Sequence, residues 1–596
     1  MKTIIIAFNQ SFQIVWSISK KHLIIMLILK LLSSTAPVVT IYLFQSLINE
    51  ATKFISGEGN LKVIIYLLIL QVSILLFISG IQYVNQINEK RMQDCISIHM
   101  KSKVFKKVNK ISYLKLETPE FFDKIHLIKQ SDNKTVAIVK SGCSLIGDLV
   151  TLLGVLGYLF FIHWALVLFF VIVIIPLFII QVNLGKQRYQ LTTELMGNSR
   201  KEQYISELLT SRDSVKELKL FNLTNYMINK WESIYRYMSE KYIRLLKKQL
   251  LMQLGITCLL VITHALTSVF VIFLIKAKGL MIGALVGVIQ SIQNIQNSIS
   301  NITINVSNLY ENSLYVKEYN HFMFIENEEY NQGYDDSFKI RDIEIKSLSF
   351  SYPNKNHTVL SNIDLSISPG KKIAIIGENG SGKTTLMKCL TGLYTTKESI
   401  FVNGMPLNKE NLNSYQSRVS VLFQDYLKYA FTIKENIGLG NLTDIENFDK
   451  IKKTSHLTRA NEFIEVLPQN YETVLGRLFE DGHELSGGQW QKVSITRSMF
   501  RNSDLIILDE PTAALDPKSE SNIIDQLFHI AEEKSIILIT HRLGVARLAD
   551  EIIVMKNGEI IERGSHNDLI RKQGEYYQLY EVQSKWFNDL PSTAHV

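Results

Sequence analysis

The sequence has few cysteines. Its four, Cys95, Cys143, Cys258 and Cys389, are scattered without paired spacing, which argues against a disulfide framework or a zinc site. The N-terminal residues also lack the small-residue cleavage site of a secretory signal peptide, so we expect the first apolar segments to be retained. Both absences favour ordinary packing cysteines in a chain that is exposed to the reducing cytoplasm.

Length and composition predict more than one domain. A chain of 596 residues is too long for one compact core, so at least two domains are expected. Its 46% hydrophobic and 20% charged residues fit a chain that is partly soluble and partly embedded in a membrane. The formal charge of +8 could suggest a nucleic-acid partner, but the excess lies in loops that flank apolar segments. That distribution follows the positive-inside rule, so we expect no nucleic acid.

The first half of the chain contains apolar runs that are long enough to cross a hydrocarbon core, which takes about 20 residues. Before them, residues 4–18 are amphipathic and predict an interfacial elbow helix, with a loose surface helix as the alternative. The connections between runs two and three and between runs four and five are long, basic and helical in pattern, so we expect them to be cytoplasmic. The predicted spans are Leu23–Ile48, Leu61–Val84, Leu145–Ile162, Trp164–Val182, Leu251–Ile275 and Leu280–Ile304.

Two features of this half suggest function. Residues 117–123 and 215–222 interrupt the two cytoplasmic connections and could form short helices that dock into a soluble domain. The alternative is an ordinary helical turn with a solvated charged face. Lys30 and His264 are ionisable groups inside apolar runs, so each is a candidate for lining a cavity. Lys30 could equally extend to the membrane surface or pack against polar groups.

The second half contains a phosphate-binding loop. Residues 377–384 match G-x-x-x-x-G-K-[ST] directly after the apolar run 373–376. Such a loop offers backbone N–H groups and a helix N-terminus to phosphates, with Lys383 as a point charge and the Thr384 hydroxyl as a ligand of Mg²⁺. Kinases and GTPases share this loop, so the loop alone does not decide the class.

Further motifs narrow the choice. The buried run 505–508 ends in Asp509, a candidate Mg²⁺ ligand, and Glu510, a candidate general base for an attacking water. Another buried run ends at His541, which could contact the γ-phosphate and that water. Gln424 lies some forty residues after the phosphate loop and could reach both Mg²⁺ and the water. Leu485-Ser486-Gly487-Gly488-Gln489 precedes the first carboxylate by about twenty residues; alone, it could be only a glycine turn before a helix.

Together these motifs resemble the ATP-binding-cassette (ABC) superfamily, and the whole chain is similar to its exporter-fold (type IV) half-transporters. Within that group, residues 423–429, 432–439 and 479–484 with Trp490-Gln491-Lys492 are similar to the bacterial lantibiotic exporters of the nisin and subtilin type. The resemblance implies a six-helix transmembrane α domain with long cytoplasmic helical hairpins, followed by an α/β P-loop ATP-binding-cassette domain. It implies a multi-pass protein of the bacterial cytoplasmic membrane with its ATPase in the cytoplasm. We expect domains at 1–322 (membrane), 323–340 (linker), 341–580 (cassette) and 581–596 (tail).

The resemblance also assigns roles. It implies that an aromatic at Tyr352 stacks on adenine, although a strand-edge tyrosine is the alternative, and that Ser486 and Gly488 close over ATP bound by the opposite subunit. With every catalytic position intact, we expect a homodimer. The expected catalytic residues are Glu510, His541, Gln424 and Lys383, and the expected metal ligands are Thr384, Gln424 and Asp509. The expected ATP-binding residues are Tyr352, Gly377, Glu378, Asn379, Gly380, Ser381, Gly382, Lys383, Thr384, Thr385, Ser486, Gly487, Gly488, Gln489 and Asp516.

Two departures from the general exporter pattern stand out. Extra residues separate Gly476 from the turn 480–482, and Ala513-Ala514-Leu515-Asp516 replaces the commoner S-A-L-D. There is no room before the first span for the peptidase that some bacteriocin exporters carry, so a separate leader peptidase and modification enzymes are expected partners. The predicted function is ATP-driven export of a modified antimicrobial peptide by alternating access. The alternatives are a lipid or hydrophobic-drug exporter of the same fold, and a soluble cassette ATPase acting on nucleic acid or ribosomes.

Overall fold

The chain forms two compact units in a computed structural model. One unit is Met1–Asn109 with Pro119–Glu326, and the other is Lys110–Thr118 with Asn327–Val596. The division at 326/327 falls inside the stretch that the sequence predicts as a linker. The structure describes residues 2–588 except 119–120, 122–124, 126–127, 279–280, 326, 328–336, 354–356, 397, 512–523, 526 and 530–532. Most of the predicted linker therefore lies outside the described residues.

The first unit is helical. Its long helices are apolar segments that continue into polar extensions, as the sequence predicts. They are α1 (Lys2–Ile55), α2 (Leu61–Val108), α4 (Ser131–Ile162), α5 (Trp164–Thr210), α7 (Thr224–Lys278) and α8 (Gly283–Met323), with the short α6 (Arg212–Leu220) between α5 and α7. A further short helix, α3 (Tyr113–Leu116), belongs to the second unit.

A break divides α1 into two parts. Ser19 has non-helical torsion angles (φ −140°, ψ 43°), which separates an amphipathic N-terminal part from the apolar remainder. This geometry matches the predicted elbow before the first span. Pro37, by contrast, lies inside the helix without a break in the torsion angles.

Four helices are long and apolar enough to cross a membrane within the described residues: Ile5–Ile55, Leu61–Val108, Ser131–Ile162 and Thr224–Ala277. The predicted fourth span lies on α5, where most side chains from 169 to 178 are outside the described residues. The predicted sixth span lies on α8, which is helical but has one face of asparagine, glutamine and serine. That polar face lowers the overall hydropathy of α8, and it lines a cavity described below.

The interior of the helical unit contains a buried apolar cluster to which five helices contribute. Ile41, Val155, Leu166, Val271 and Ile292 belong to one buried cluster that joins α1, α4, α5, α7 and α8. In contrast, α2 presents exposed apolar side chains such as Tyr66, Leu76 and Phe77, as expected for a surface that meets lipid.

The second unit is an α/β domain with two sheets. A four-stranded antiparallel sheet has the order β2-β1-β4-β5, and a six-stranded sheet has the order β10-β9-β3-β8-β7-β6. The strands are β1 (Ile343–Phe350), β2 (Leu360–Ile367), β3 (Lys372–Gly377), β4 (Ile400–Val402), β5 (Met405–Pro406), β6 (Val419–Leu422), β7 (Leu505–Asp509), β8 (Ser535–Ile539), β9 (Glu551–Lys556) and β10 (Glu559–Gly564). Its helices are α9 (Lys383–Leu390), α10 (Leu412–Ser417), α11 (Ile433–Gly438), α12 (Phe448–Leu457), α13 (Asn461–Ile464), α14 (Gly487–Phe500), α15 (Leu543–Ala546), α16 (His566–Lys572) and α17 (Glu575–Asn588).

The large sheet explains why the second unit has continuous apolar strands. Strands β6, β7, β8, β3 and β9 are parallel, and β3, β7 and β8 are buried along their whole length. A parallel strand that is covered on both faces has no solvent-facing side, so its sequence does not alternate between apolar and polar residues. Because Ile375 and Asp509 both pair with Ile539, the carboxyl ends of β3, β8 and β7 meet at one edge of the sheet. Ligands of open α/β sheets bind at such an edge.

Candidate functional site

The phosphate-binding loop leaves β3 and enters α9. Gly377 and Gly382 have positive φ angles of 152° and 101°, where a side chain is strained. A Cβ on Gly377 would lie 2.2 Å from the Met555 carbonyl oxygen, so the loop accepts only glycine there. The Lys383 Nζ donates to the carbonyl oxygens of Gly377 and Glu378, at 2.8 Å each. The lysine therefore lies inside the loop, where a phosphate would offer it competing oxygens.

The two threonines after the lysine differ in exposure. Thr384 is exposed, whereas Thr385 is buried with its hydroxyl 3.1 Å from the Tyr352 hydroxyl. Tyr352 also packs edge-on against Phe350 and Tyr394. The structure thus places Tyr352 beside the phosphate-loop helix; its stacking on adenine stays a prediction.

The two strand-end carboxylates have different environments. Asp509 is 4% exposed, and its burial, followed by the negative charge of Glu510, raises its pKa to about 6. Burial lowers the pKa of the Lys383 ammonium, although Glu510 and Asp509 act in the opposite direction. The Lys383 ammonium and the carboxylates of Asp509 and Glu510 thus share this edge of the sheet. A bound phosphate–metal complex would bring further negative and positive charge next to them.

Glu510 is held by two residues from neighbouring loops. Its Oε2 accepts a hydrogen bond from Gln424 Nε2 at 2.7 Å, and its Oε1 lies 2.8 Å from His541 Nε2. The Glu510 backbone has a φ angle of 48°, an uncommon conformation for a residue with a side chain and one that is concentrated at functional sites. The three residues that the sequence singled out after β6, β7 and β8 therefore lie in direct contact.

A further residue fixes this arrangement and was missed from sequence. Gln583 on α17 donates from Nε2 to the His541 carbonyl oxygen at 2.6 Å, and its Oε1 accepts from the Leu543 N–H at 3.0 Å. Helix α17 continues to Asn588, so residues 581–588 extend the fold beyond the predicted start of the tail. A glutamine forty residues from its partner carries no motif, and only the contact identifies it.

The serine–glycine motif forms the start of α14. Ser486 Oγ accepts from the Gln489 N–H and Gln489 Oε1 accepts from the Ser486 N–H, which is a capping box. Ser486 and Gly487 are exposed, and Gly488 is half-buried. Within the described part of the chain, no hydrogen bond or ion pair joins residues 486–489 to residues 377–385. Asp516 lies outside the described residues.

The oxygen donors at the site suit a hard cation. Thr384, Gln424 and Asp509 offer a hydroxyl, a carboxamide and a carboxylate, which are ligand types that Mg²⁺ accepts. Among the described residues no group of three or more His, Cys, Asp or Glu could hold a metal ion. A site of this kind depends on phosphate oxygens and water to complete the coordination, as is usual for Mg²⁺ with nucleotides.

The first two residues of the first predicted docking segment, Glu117 and Thr118, belong to the ATPase unit, and the unit boundary falls at Pro119. Glu117 accepts from the Lys388 ammonium on α9 and from the Tyr394 hydroxyl, both at 2.7 Å. Burial, together with the Glu117 hydrogen bond, raises the pKa of Tyr394, so this hydroxyl stays a donor. The remainder of that segment, from 119, is largely outside the described residues, and the second segment forms α6 in the helical unit.

Comparison with known proteins agrees with this geometry. The family model described as "ABC transporter" matches residues 360–513, and the model described as "ABC transporter transmembrane region" matches residues 137–299. The subtilin transport ATP-binding protein of Bacillus subtilis is 32% identical over 582 residues, which is 96% of this chain and 94% of that protein. This chain belongs to the ABC transporter family. The transporter is a membrane-spanning exporter whose cytoplasmic ATPase domain binds ATP and couples its hydrolysis to export.

Other relatives show how far the likeness extends. The nisin transport ATP-binding protein of Lactococcus lactis is 31% identical to the transporter over 97% of this chain and 96% of that protein. An ATP-dependent lipid A-core flippase of Photobacterium profundum is 36% identical over 243 residues, 41% of each chain. A solved bacterial Atm1-family ABC exporter with ATP bound matches with a TM-score of 0.80 at 19% identity, covering 97% of the transporter and 100% of that chain. The exporter fold predicted from sequence is confirmed, and the soluble alternative is wrong.

Proposed function

We propose that the transporter exports a modified antimicrobial peptide across the cytoplasmic membrane as a homodimer that hydrolyses Mg-ATP. The main support is the extent of likeness: the subtilin transport protein matches 96% of the chain, whereas the lipid flippase matches 41%. Cargo contacts arise in the membrane half, so a relative that matches both halves is the better guide to cargo. Separate modification enzymes and a leader peptidase complete the proposed pathway.

For ATP hydrolysis we propose that Glu510 removes the proton from the attacking water. A carboxylate in that role must have one oxygen available to the water. In this structure each Glu510 oxygen has one contact, with Gln424 or with His541, and each oxygen keeps a second lone pair that can accept a hydrogen from the water. Bound Mg²⁺ would neutralise phosphate charge, and Thr384, Gln424 and Asp509 would hold it.

We propose that two further parts of each site come from opposite subunits. Lys383 would leave the Gly377 and Glu378 carbonyl oxygens for the phosphates, while Ser486 and Gly488 would contact the nucleotide on the partner subunit. Two observations support this division: Ser486 is exposed, and among the described residues no hydrogen bond or ion pair joins residues 486–489 to the phosphate loop of the same chain. Closing and reopening of the dimer would then alternate access to the cavity.

The cargo is tested with the purified transporter in lipid vesicles. ATPase activity and peptide uptake are measured with a lanthionine-containing peptide that carries its leader, and with a panel of hydrophobic drugs and lipids. We expect stimulation and ATP-dependent uptake with the peptide only. Stimulation by drugs or lipids without the peptide would replace the peptide assignment with the alternative cargo.

The role of Glu510 is tested in the same vesicles. The Glu510→Gln variant should lose at least about 100-fold in kcat, the lower range for a general base, while ATP binding persists. Glu410→Gln, an exposed carboxylate on a turn, is the matched control. Normal turnover by Glu510→Gln would refute the assignment.

A further inference from the structure

The helical unit contains a polar cavity that the proposed catalytic cycle does not explain. It has a volume of about 410 Å³, within the range of small-ligand sites. Its wall combines α1, α2, α4 and α8, and it is rich in carboxamides from α2 and from the polar face of α8. A cavity for hydrophobic drugs would be mainly apolar, so this lining indicates a ligand with many hydrogen-bonding groups.

Both acidic groups of this cavity have partners. Glu89 accepts from Asn85 Nδ2 at 2.7 Å and pairs with the Lys140 ammonium at 2.6 Å. Asp148 accepts hydrogen bonds from the carboxamides of Asn301 and Asn305. Neither carboxylate needs a cation from a ligand.

Lys30 is different. Its stem lies against Gly147, where an added Cβ would be 3.0 Å from Lys30 Cε, so the glycine makes room for the lysine beside α4. Among the described residues its ammonium makes no hydrogen bond and no direct ion pair; its charge acts on Asp148, which is beyond ion-pairing distance. Lys30 lies roughly 16 Å along the helix from the break at Ser19, at 1.5 Å per residue. A charge at that depth is costly unless it has a partner.

A second group in the wall also lacks a partner. Asn85 Oδ1 is buried without a donor within the described residues. Because its Nδ2 faces an acceptor-only carboxylate, the oxygen cannot be exchanged with the nitrogen by a flip of the amide. Within the described residues, the wall thus offers one ammonium without a hydrogen-bonded partner and one unsatisfied acceptor, among carboxamides that can donate and accept. Peptides present N–H groups, carbonyl groups and carboxylates, which are the matching set.

We propose that this cavity binds a carboxylate-bearing segment of the exported peptide, with the Lys30 ammonium as the counter-ion of the carboxylate. The carboxamide wall pairs with the peptide groups on either side. This proposal rests on the proposed peptide cargo and adds the chemistry by which one residue selects it. Lys30 thereby acts as a specificity residue in the membrane.

The test is equilibrium binding to the full-length transporter in nanodiscs without nucleotide, followed by fluorescence anisotropy. The probes are three serine–alanine hexapeptides with an uncharged N-terminal dye: a C-terminal acid, a C-terminal amide, and an amide with one internal glutamate. We expect each carboxylate probe to bind at least tenfold more tightly than the plain amide. A preference for only one of the two acids would identify the peptide end or a side chain as the source of the carboxylate.

Variants then assign the preference to Lys30. Lys30→Gln should abolish the acid preference, Lys30→Arg should retain it, and Lys62→Gln, an equal charge change at the start of α2, should leave it unchanged. If Lys30→Gln fails to fold, the proposal is still tested by two measurements: the ratio of acid-probe to amide-probe affinity in the unaltered transporter, and the same ratio in Lys30→Arg. Equal binding of acid and amide, no binding of any probe, or a preference that survives Lys30→Gln would overturn the proposal.

The remaining outcomes distinguish a peptide ligand from a lipid ligand, and failure of the proposed site from failure of the proposed function. Displacement of the acid probe by dihexanoylphosphatidylglycerol, but not by dihexanoylphosphatidylcholine, at equal concentration to the probe would assign the ammonium to a lipid headgroup and overturn the peptide assignment. Acid-selective binding without ATP-dependent peptide uptake would contradict the proposed function and leave the site standing. Peptide uptake without acid-selective binding would support the proposed function and overturn the proposed site.

Discussion

Glu510 and Asp509 are consecutive residues at the end of one strand, yet their surroundings give them different chemistry. Asp509 completes β7 and is almost fully buried, while Glu510 follows in a positive-φ conformation that directs it toward Gln424 and His541. The proposed metal ligand and the proposed base are therefore adjacent in sequence but differ in burial and in backbone conformation.

The raised pKa of Asp509 predicts a pH-dependent cost to stability. Its folded-state pKa of about 6 exceeds the ordinary value of 3.8, so the folded state holds this proton more tightly and stability falls as pH rises from about 4 to about 6. By the conversion of about 1.4 kcal/mol per pKa unit, the full cost above pH 6 is roughly 3 kcal/mol. Asp509→Asn removes the charge, so it should raise the Tm of the nucleotide-free transporter at pH 8 by a few degrees.

The measurement is thermal unfolding at pH 8 and pH 5, with the exposed Asp481→Asn as control. The gain from Asp509→Asn should shrink at pH 5, because Asp509 is then largely protonated in the folded state. An equal gain at both pH values would contradict the assigned pKa. The same variant should lose ATPase activity if Asp509 holds the metal.

Residue chemistry was predictable where a motif fixed both position and neighbours. Lys383, Gln424, Glu510 and His541 lie where strand ends and glycine spacing place them. Gln583 was not predictable, because its role depends on a tertiary contact between a C-terminal helix and a loop, and neither partner has a distinctive neighbourhood in sequence.

At the scale of elements, α17 is the support of the His541 loop. Gln583→Ala removes both hydrogen bonds to that loop, so His541 should be less well held against Glu510. We expect kcat to fall about tenfold, as for a positioning group near the chemistry, with little change in KM for ATP. ATPase kinetics of this variant are compared with those of Gln578→Ala, an exposed neighbour on the same helix; unchanged kcat would show that the loop does not need α17.

The segment that contains α3 gives a second prediction at this scale. Glu117→Gln loses the ion pair with Lys388 and weakens the bond from Tyr394, without touching the phosphate loop. Basal ATPase activity should persist, while peptide-stimulated activity and uptake should fall several-fold because the segment is no longer held. The exposed Glu58→Gln serves as control. Equal losses of basal and stimulated activity would indicate a general defect in the ATPase unit instead.

The sequence predicted an element well where both of its faces are buried, and less well where one face is apolar and the other is polar. The all-apolar strands β3, β7 and β8 were evident because both faces are covered. The sixth span was predicted as an apolar run, but α8 has a polar side, from which Asn294, Asn297 and Asn301 line a cavity. Hydropathy averages over both faces of a helix and so conceals this difference.

At the scale of the whole molecule, the proposed division of each ATP site between two subunits predicts complementation between subunits. Lys383→Ala disables the phosphate loop, and Ser486→Arg disables the helix start that would serve the partner. Each variant alone should be inactive. Co-expressed with different tags and purified as a mixed dimer, they should recover activity, because one of the two composite sites then has both parts intact.

The control for this experiment is a mixed dimer of two differently tagged Lys383→Ala chains, which should stay inactive. No recovery in the mixed dimer of the two different variants would mean that each chain builds its own site. Sequence motifs predicted the family, which is confirmed, whereas the composite site stays a prediction and the motifs do not specify the cargo. Cargo recognition depends on which helix faces meet around a cavity, and periodicity alone does not determine that arrangement.

The discontinuity of the ATPase unit also has a consequence for synthesis. Glu117 and its partner Lys388 are 271 residues apart in the chain. At about 5–20 residues per second, Glu117 leaves the ribosome roughly 14 to 54 seconds before Lys388 is made. Most of the membrane half is translated during that interval, so the α3 segment must wait at the cytoplasmic surface for an ATPase that does not yet exist. The soluble unit is therefore complete only after it has captured a segment that was translated before most of the membrane half.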